Sequence, residues 1–269
     1  MNKPALLVRS LLASAGWLGG IAAARAQTAE QIISKARAYL GDEAALSAVK
    51  SVHFVGTMET RQLVPEGSKP LQFAIDIVFQ KPYQQRITRS TSTATEITGL
   101  DDYDGWQRIQ DMTDPSRWQL TLLDPLIIKK LRANTWENLN FFKGLEKRGG
   151  SVKVIGPAAI DGAAVVKAAF IHEPGITFYR YFDTATGKLV LTETDQGDRI
   201  KEEGEIMVDG LRFPRRVTTA SRATDAKGQV VDNPIVITFD KITLNEVFPD
   251  SIFAVPSMTP PKSVPGPAR

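Results

Sequence analysis

Residues 101–111 read DDYDGWQRIQD, four aspartates around a glycine and a tryptophan. With Leu100 as position 1 of a calcium loop, Asp102, Asp104, Gly105 and Asp111 fall at positions 3, 5, 6 and 12, a partial match to the EF-hand spacing. The match fails where the chemistry is most demanding. Position 1 is apolar, and an aspartate at position 12 is too short to reach the ion as a bidentate glutamate does. Alternating apolar and polar residues flank the segment where a calcium loop needs helices. Asp104-Gly105 reads instead as the centre of a two-residue hairpin turn, in which both residues take positive φ.

The chain has two histidines, His53 and His172, and no cysteine. A zinc site without cysteine would need both histidines plus a carboxylate, and they lie in no HExxH or similarly close spacing. His53 falls on the polar face of an expected strand and His172 just before Glu173-Pro174-Gly175, a turn, so both read as exposed or locally bonded. Glu202, Glu203 and Glu205 could supply a glycosidase pair. They fall in a strand pattern opposite Ile200, Ile206 and Val208 and read as a solvated face. No Gly-x-Ser-x-Gly occurs, and Gly149-Gly150 lacks the Lys-Ser/Thr of a phosphate loop. The expectation is a protein with no catalytic residue, no metal and no cofactor. A hydrolase whose site assembles from distant positions is the least favoured alternative.

The elements that would position any site follow from periodicity. Thr28-Ala-Glu-Gln31 is a capping box, followed by Ile32, Ile33, Ala36, Tyr39 and Leu40 at helical spacing up to Gly41; Asp42 then caps a short second helix. From Ser51 the period becomes two. SVHFVGTMETR and LQFAIDIVF are the first of about a dozen alternating segments separated by turn dipeptides, the signature of antiparallel hairpins. Asp124-Pro125 opens LIIKKLRAN and Thr135 opens WENLNFFKGLEKR, so residues 124–147 read as one or two helices inserted among strands. The expected fold is mainly β: a strongly curved antiparallel sheet, or incomplete β-barrel, with a few helices covering its concave side.

Residues 1–26 carry Lys3 and Arg9, then small and apolar residues, then Ala24-Arg25-Ala26, the pattern of a cleaved secretory signal. Such a run is too short for a membrane span. The whole chain has 33 Lys and Arg against 30 Asp and Glu, and the signal holds Lys3, Arg9 and Arg25, so the remainder is balanced at 30 against 30. Balanced charge without a basic block argues against nucleic acid as partner. The expected organisation is residues 1–26 as signal, 27–255 as one domain and 256–269 as a proline-rich disordered tail, exported to the periplasm with no membrane span after cleavage. Large apolar residues recur at alternate strand positions: Phe54, Phe73, Phe79, Trp106, Phe178, Phe182 and Phe239. They fit a packed core, or the wall of an apolar cavity in a sheet too wide to fill itself.

The order of features resembles the outer-membrane lipoprotein-sorting (LolA/LolB-like) family of periplasmic carriers, whose wider fold includes RseB-type sensors. The likeness rests on TAEQIISKARAYL after the signal, PLQFAIDIVFQKPYQQRITRS with its Lys-Pro turn, DYDGWQRIQDMTDP, the helix DPLIIKKLRAN and the closing VFPDSIFAVPSMTPP. The resemblance implies an incomplete barrel whose cavity takes acyl chains. Its cavity face would include Phe54, Phe73, Ile75, Ile77, Phe79 and Trp106, and Ile32, Ile33, Leu126, Ile127 and Leu131 would form a lid. Arg86 or Arg89 falls near the place where the carriers put an arginine on an early strand. The implied partner is a hydrophobic small molecule, a lipid or an acylated lipoprotein. The alternative is a sensor or scaffold that binds another envelope protein through a sheet edge or the tail. Residues 200–245 make the chain longer than the small carriers.

Overall fold

The computed structural model describes residues 27–61, 69–173, 175–224 and 230–257. The expected signal, the turn at Pro65-Glu66-Gly67 and most of the proline-rich tail lie outside the described residues. Helix α1 (Ala29–Leu40) starts with the expected capping box, Thr28 and Gln31 each bonding the other's backbone N–H. Helix α2 (Glu43–Ala48) is capped by Asp42, whose carboxylate accepts from the Ala44 and Ala45 amides.

Six strands follow as a meander: β1 (Ser51–Thr60), β2 (Leu71–Gln80), β3 (Gln84–Ser90), β4 (Ala94–Asp101), β5 (Asp104–Asp111) and β6 (Trp118–Leu122). Helix α3 (Pro125–Asn140) interrupts them, with Asp124 as its cap and proline at its first position. It runs without a break through Thr135, whose hydroxyl bonds back to the Leu131 carbonyl, and stops where Phe141 and Phe142 both take positive φ. A short 3₁₀ turn, Leu145–Arg148, leads into β7 (Ser151–Ile160), β8 (Ala163–Glu173), β9 (Ile176–Asp183), β10 (Leu189–Thr194) and β11 (Arg199–Glu203). A small separate hairpin, β12 (Ile206–Val208) and β13 (Leu211–Phe213), precedes β14 (Arg216–Thr224) and β15 (Val230–Leu244).

The main sheet has 13 strands in the order β6-β5-β4-β3-β2-β1-β15-β14-β11-β10-β9-β8-β7. It is antiparallel throughout and stays open, with β6 and β7 at its edges. Two meanders are thus joined by one long-range pairing, β1 with β15. Alternation assigns each residue to a face. Val52, Phe54, Gly56 and Met58 of β1 stand opposite Phe79, Ile77, Ile75 and Phe73 of β2, and this inner face receives the helices. Leu139 and Phe141 of the α3 end join Phe54, Phe79, Phe213 and Phe239 in one core. A second core packs Ile32 and Ala36 of α1 with Trp136, Phe142, Phe170 and Phe182.

One charged side chain ties these layers together. Arg37 is buried, pairs with Glu43 at 2.7 Å and donates to the carbonyls of Asn140 and Phe141 at 3.0 and 2.8 Å. A cation there satisfies carbonyls that the end of α3 leaves without helical partners.

The acidic hairpin differs from expectation by two residues. Asp101 pairs with Asp104, so the turn is Asp102-Tyr103, with Asp102 at φ 51°, and Asp104-Gly105 already belongs to β5. Gly105 is required for another reason: a Cβ there would come within 2.7 Å of Ile128 on α3. Asp102 pairs with Arg132, whose guanidinium lies 4.0 Å from the Tyr83 ring and 3.8 Å from that of Tyr103. Asp111, at the far end of β5, accepts from Thr113 and Asp114 in the next turn.

Candidate functional site: a cavity between the sheet and helix α3

The inner face is not filled completely. A cavity of about 350 Å³ lies between it and α3. Phe54, Ile77, Phe79, Ile87, Ile237 and Phe239 from adjoining strands form its apolar wall. Asn134, Glu137 and Asn138 of α3, Phe141 just past its end and Phe213 of the β12-β13 hairpin close it. The hairpin reaches this position because β13 packs on the end of α1: Leu211 is buried against Gly41, where a Cβ would meet the Leu211 side chain at 2.6 Å.

The other end of the cavity is polar. Arg180 on β9, Glu202 on β11 and Glu137 on α3 all line it. Arg180 and Glu137 pair directly, with side chains 7% and 6% exposed. His172 on β8, fully buried, holds the other Glu137 oxygen at 2.6 Å through its Nε2. Burial alone would raise the Glu137 carboxyl, but Arg180 and His172 outweigh it and hold the group below the usual carboxylate range. Burial pushes the Glu202 carboxyl up against the opposing pull of Arg180 and Lys188. At neutral pH this end therefore holds an ionised Glu137 beside Arg180, and a carboxyl on Glu202 with raised proton affinity. Outside the lining, where Arg212 lies over the Tyr39 ring, burial and a hydrogen bond to Glu205 push the Tyr39 hydroxyl up to about 12.

The cavity wall includes Phe54, Ile77 and Phe79 of the expected set, while Phe73 and Ile75 lie on the same inner face but outside the lining. Trp106 is a correction. Leu100 and Gly105 share the inner face, so Trp106, opposite Gly99, is on the outer one. There it is 2% exposed and donates its indole N–H to the Phe253 carbonyl at 2.7 Å, under the C-terminal segment that crosses this face. The expected lid also divides differently. Ile32 and Ile33 pack in the second core, Leu126 and Ile127 are exposed at the start of α3, and none of the five, Leu131 included, lines the cavity. The second half of α3 is what covers it. Of the two arginines, Arg89 is on the inner face beside Ile75 and pairs with Glu96, and Arg86 is on the outer face.

His172 and Glu202 correct the reading of polar residues. Glu202 follows Ile200 by two residues and so shares its inner face, while Glu203 points out toward Arg216 and Glu205 lies beyond the strand. His172 follows Phe170 by two residues and is buried for the same reason. His53, on the outer face, lies between Glu246 at 2.9 Å and Asp76 at 3.1 Å. Among the described residues no three His, Cys, Asp or Glu side chains converge to hold a metal.

Arg180, Glu137 and Phe213 were missed from the sequence. A signal existed for the first: in ITFYRYFD, Arg180 alternates with Phe178 and Phe182, a lone cation on an apolar strand face.

No protein-family model matches the chain, and no curated protein matches it by sequence. Solved structures do. A LolA superfamily protein from Nitrosomonas europaea superposes with a TM-score of 0.53 at 12% identity, covering 85% of this chain and 98% of the other. The chain carries the LolA-like fold. A DUF1329 family protein from Desulfovibrio piger matches at TM-score 0.51 and 9% identity, covering 84% of this chain and 97% of that one. A putative outer membrane lipoprotein-sorting protein domain from Vibrio parahaemolyticus matches at 0.51 and 7%, with the same coverage of 84% and 97%. Among the described residues no helix is long and apolar enough to cross a membrane.

Proposed function

We propose that this protein is a periplasmic, non-enzymatic carrier or binding protein that holds a lipid, or an acyl chain of a lipoprotein, in the cavity between its sheet and α3. The observation that carries this reading is the cavity of about 350 Å³ with Phe54, Ile77, Phe79, Ile237 and Phe239 along one wall. That volume falls at the low end of the roughly 300–1,000 Å³ usual for small-molecule sites, which suits one chain better than several. Each methylene moved from water into it contributes about 0.8 kcal/mol, so one chain of ordinary length supplies enough gross energy for capture. The LolA-like fold and the signal-like first 26 residues support an envelope location.

The test is native mass spectrometry of protein purified from its own envelope, with titration by the fluorescent apolar probe N-phenylnaphthylamine. Ile237→Trp fills the cavity without adding charge. The wild type is expected to carry a lipid mass or take up the probe, and the folded tryptophan variant to lose most of that uptake. A wild type that is reproducibly empty and ignores the probe overturns the proposal.

A further inference from the structure

Helix α3 separates the cavity from a second depression. Asn134, Glu137 and Asn138 line the cavity, whereas Trp136, Leu139 and Asn140, half a turn round the helix, line a pocket of about 560 Å³. The β2-β3 turn at Lys81-Pro82-Tyr83 and the 3₁₀ turn Leu145–Arg148 border it on the far side of the helix end.

The charge of this pocket is one-sided. Arg37, Lys81, Lys143, Lys147 and Arg148 line it against one carboxylate, Glu146. Glu43 adds a second by pairing with Arg37 and Lys143, and Arg132, which lies over the Tyr83 ring, is matched by Asp102. Five lining cations therefore meet two carboxylates. Among the described residues Lys81, Lys147 and Arg148 make no ion pair and no side-chain hydrogen bond. Lys81 is half-buried, and burial together with the nearby Arg37 holds its ammonium below the usual lysine range. Arg148 lies 5.0 Å from the Tyr83 ring centre, a contact that orients the guanidinium but gives its N–H groups no acceptor. Only its Nη1 is enclosed, so Nε and Nη2 stay within reach of a ligand.

Cations gathered without counterions repel one another, and an anion from outside the chain relieves that repulsion. A carboxylate would bring one charge and two coplanar oxygens. A phosphate monoester brings about −1.5 to −2 charges at neutral pH and three strong acceptor oxygens. Those oxygens point in different directions, as donors arriving from two separate turns require, and both ammonium and guanidinium groups suit them.

We infer that this pocket binds a phosphate monoester, with the phosphate oxygens between Lys81, Lys147 and Arg148. The site lies across α3 from the cavity and does not depend on what the cavity holds.

Calorimetric titration of the full chain with glycerol 3-phosphate, and with glycerate as a carboxylate of similar size, tests the phosphate. Flotation with phosphatidylcholine vesicles, with and without phosphatidic acid, tests whether the group comes from a lipid head. Glycerol 3-phosphate should bind about tenfold or more tighter than glycerate. Lys81→Met, which removes an ammonium that burial opposes, and Arg148→Met should each lower its affinity about tenfold, the value of one hydrogen bond to a charged donor. Lys147→Gln, at an exposed position, should weaken it without touching the core. Lys241→Met, exposed on β15, and Ile237→Trp, which fills the cavity, should leave it unchanged. Flotation that requires phosphatidic acid and is lost in Lys81→Met identifies a lipid head as the source, and glycerol 3-phosphate binding without flotation identifies a soluble one. A wild type that takes neither, glycerate binding as tightly, or affinities unchanged in the Lys81 and Arg148 variants overturns the inference. Loss of glycerol 3-phosphate binding in Ile237→Trp would place the phosphate in the cavity and overturn it equally.

Discussion

Removing Arg180 or Glu137 singly should be far more damaging than removing both. Each side chain is less than a tenth exposed, and each is the other's counterion. Arg180→Met leaves a carboxylate in an apolar setting with only His172 beside it, and Glu137→Gln leaves a guanidinium against phenylalanine rings. Breaking one partner of a buried pair costs about 3–5 kcal/mol, a large share of the roughly 5–15 kcal/mol that stabilises a folded domain. The double variant keeps the volume nearly constant and buries no ion, so its cost should be about 1–2 kcal/mol or less. The cycle should therefore show a coupling of at least about 2 kcal/mol. Urea denaturation followed by far-ultraviolet circular dichroism measures all four proteins. Additive costs, or single variants each within about 0.5 kcal/mol of the wild type, would refute the reasoning, because they would mean that water reaches the pair.

On the outer face, Gly99→Ala should cost about 1–3 kcal/mol, since the new methyl would overlap the indole of Trp106, which is pinned by its bond to the Phe253 carbonyl. Trp106→Phe should relieve that overlap, so the pair is expected to be less unstable than the sum of the two single variants, a non-additivity that the same denaturation assay measures. Acid should weaken the contact of α1 and α2 with the end of α3. Hydrogen bonds from Arg37 and Lys143 hold the Glu43 carboxyl down to about 2, so its contribution is present above the ordinary value of 4.5 and is lost as pH falls toward about 2. Glu43→Gln should flatten the fall of the thermal midpoint across that window. An unchanged profile would show that solvent screens this half-exposed carboxylate completely.

The strands and the helix starts were legible because their causes are local. The capping box of α1 and the Asp-Pro opening of α3 act over three or four residues, and alternation places Phe54, Ile77 and Phe79 on one face without knowledge of any partner. The same alternation placed Arg180 beside Phe178 and Phe182 and Glu202 beside Ile200, so two polar members of the site could have been found by extending one rule to charged residues. The acidic hairpin shows where locality ends. Asp-Gly is the stronger turn signal, yet the pairing of Asp101 with Asp104 puts the turn at Asp102-Tyr103 and leaves Gly105 under α3.

The sequence by itself determined an antiparallel, mainly β chain with few helices, without cysteine chemistry, and with a balanced charge after its first 26 residues. Only the tertiary structure decided which face of each strand lies inward over the helices. That choice depends on the β1-β15 pairing of distant segments and on the C-terminal stretch that covers Trp106. It also decided that Arg180, Glu137, His172 and Glu202, from four separate elements, meet at one end of an apolar cavity. Period and propensity are properties of a few neighbouring residues, whereas a cavity is the volume left when distant surfaces fail to fill the space between them.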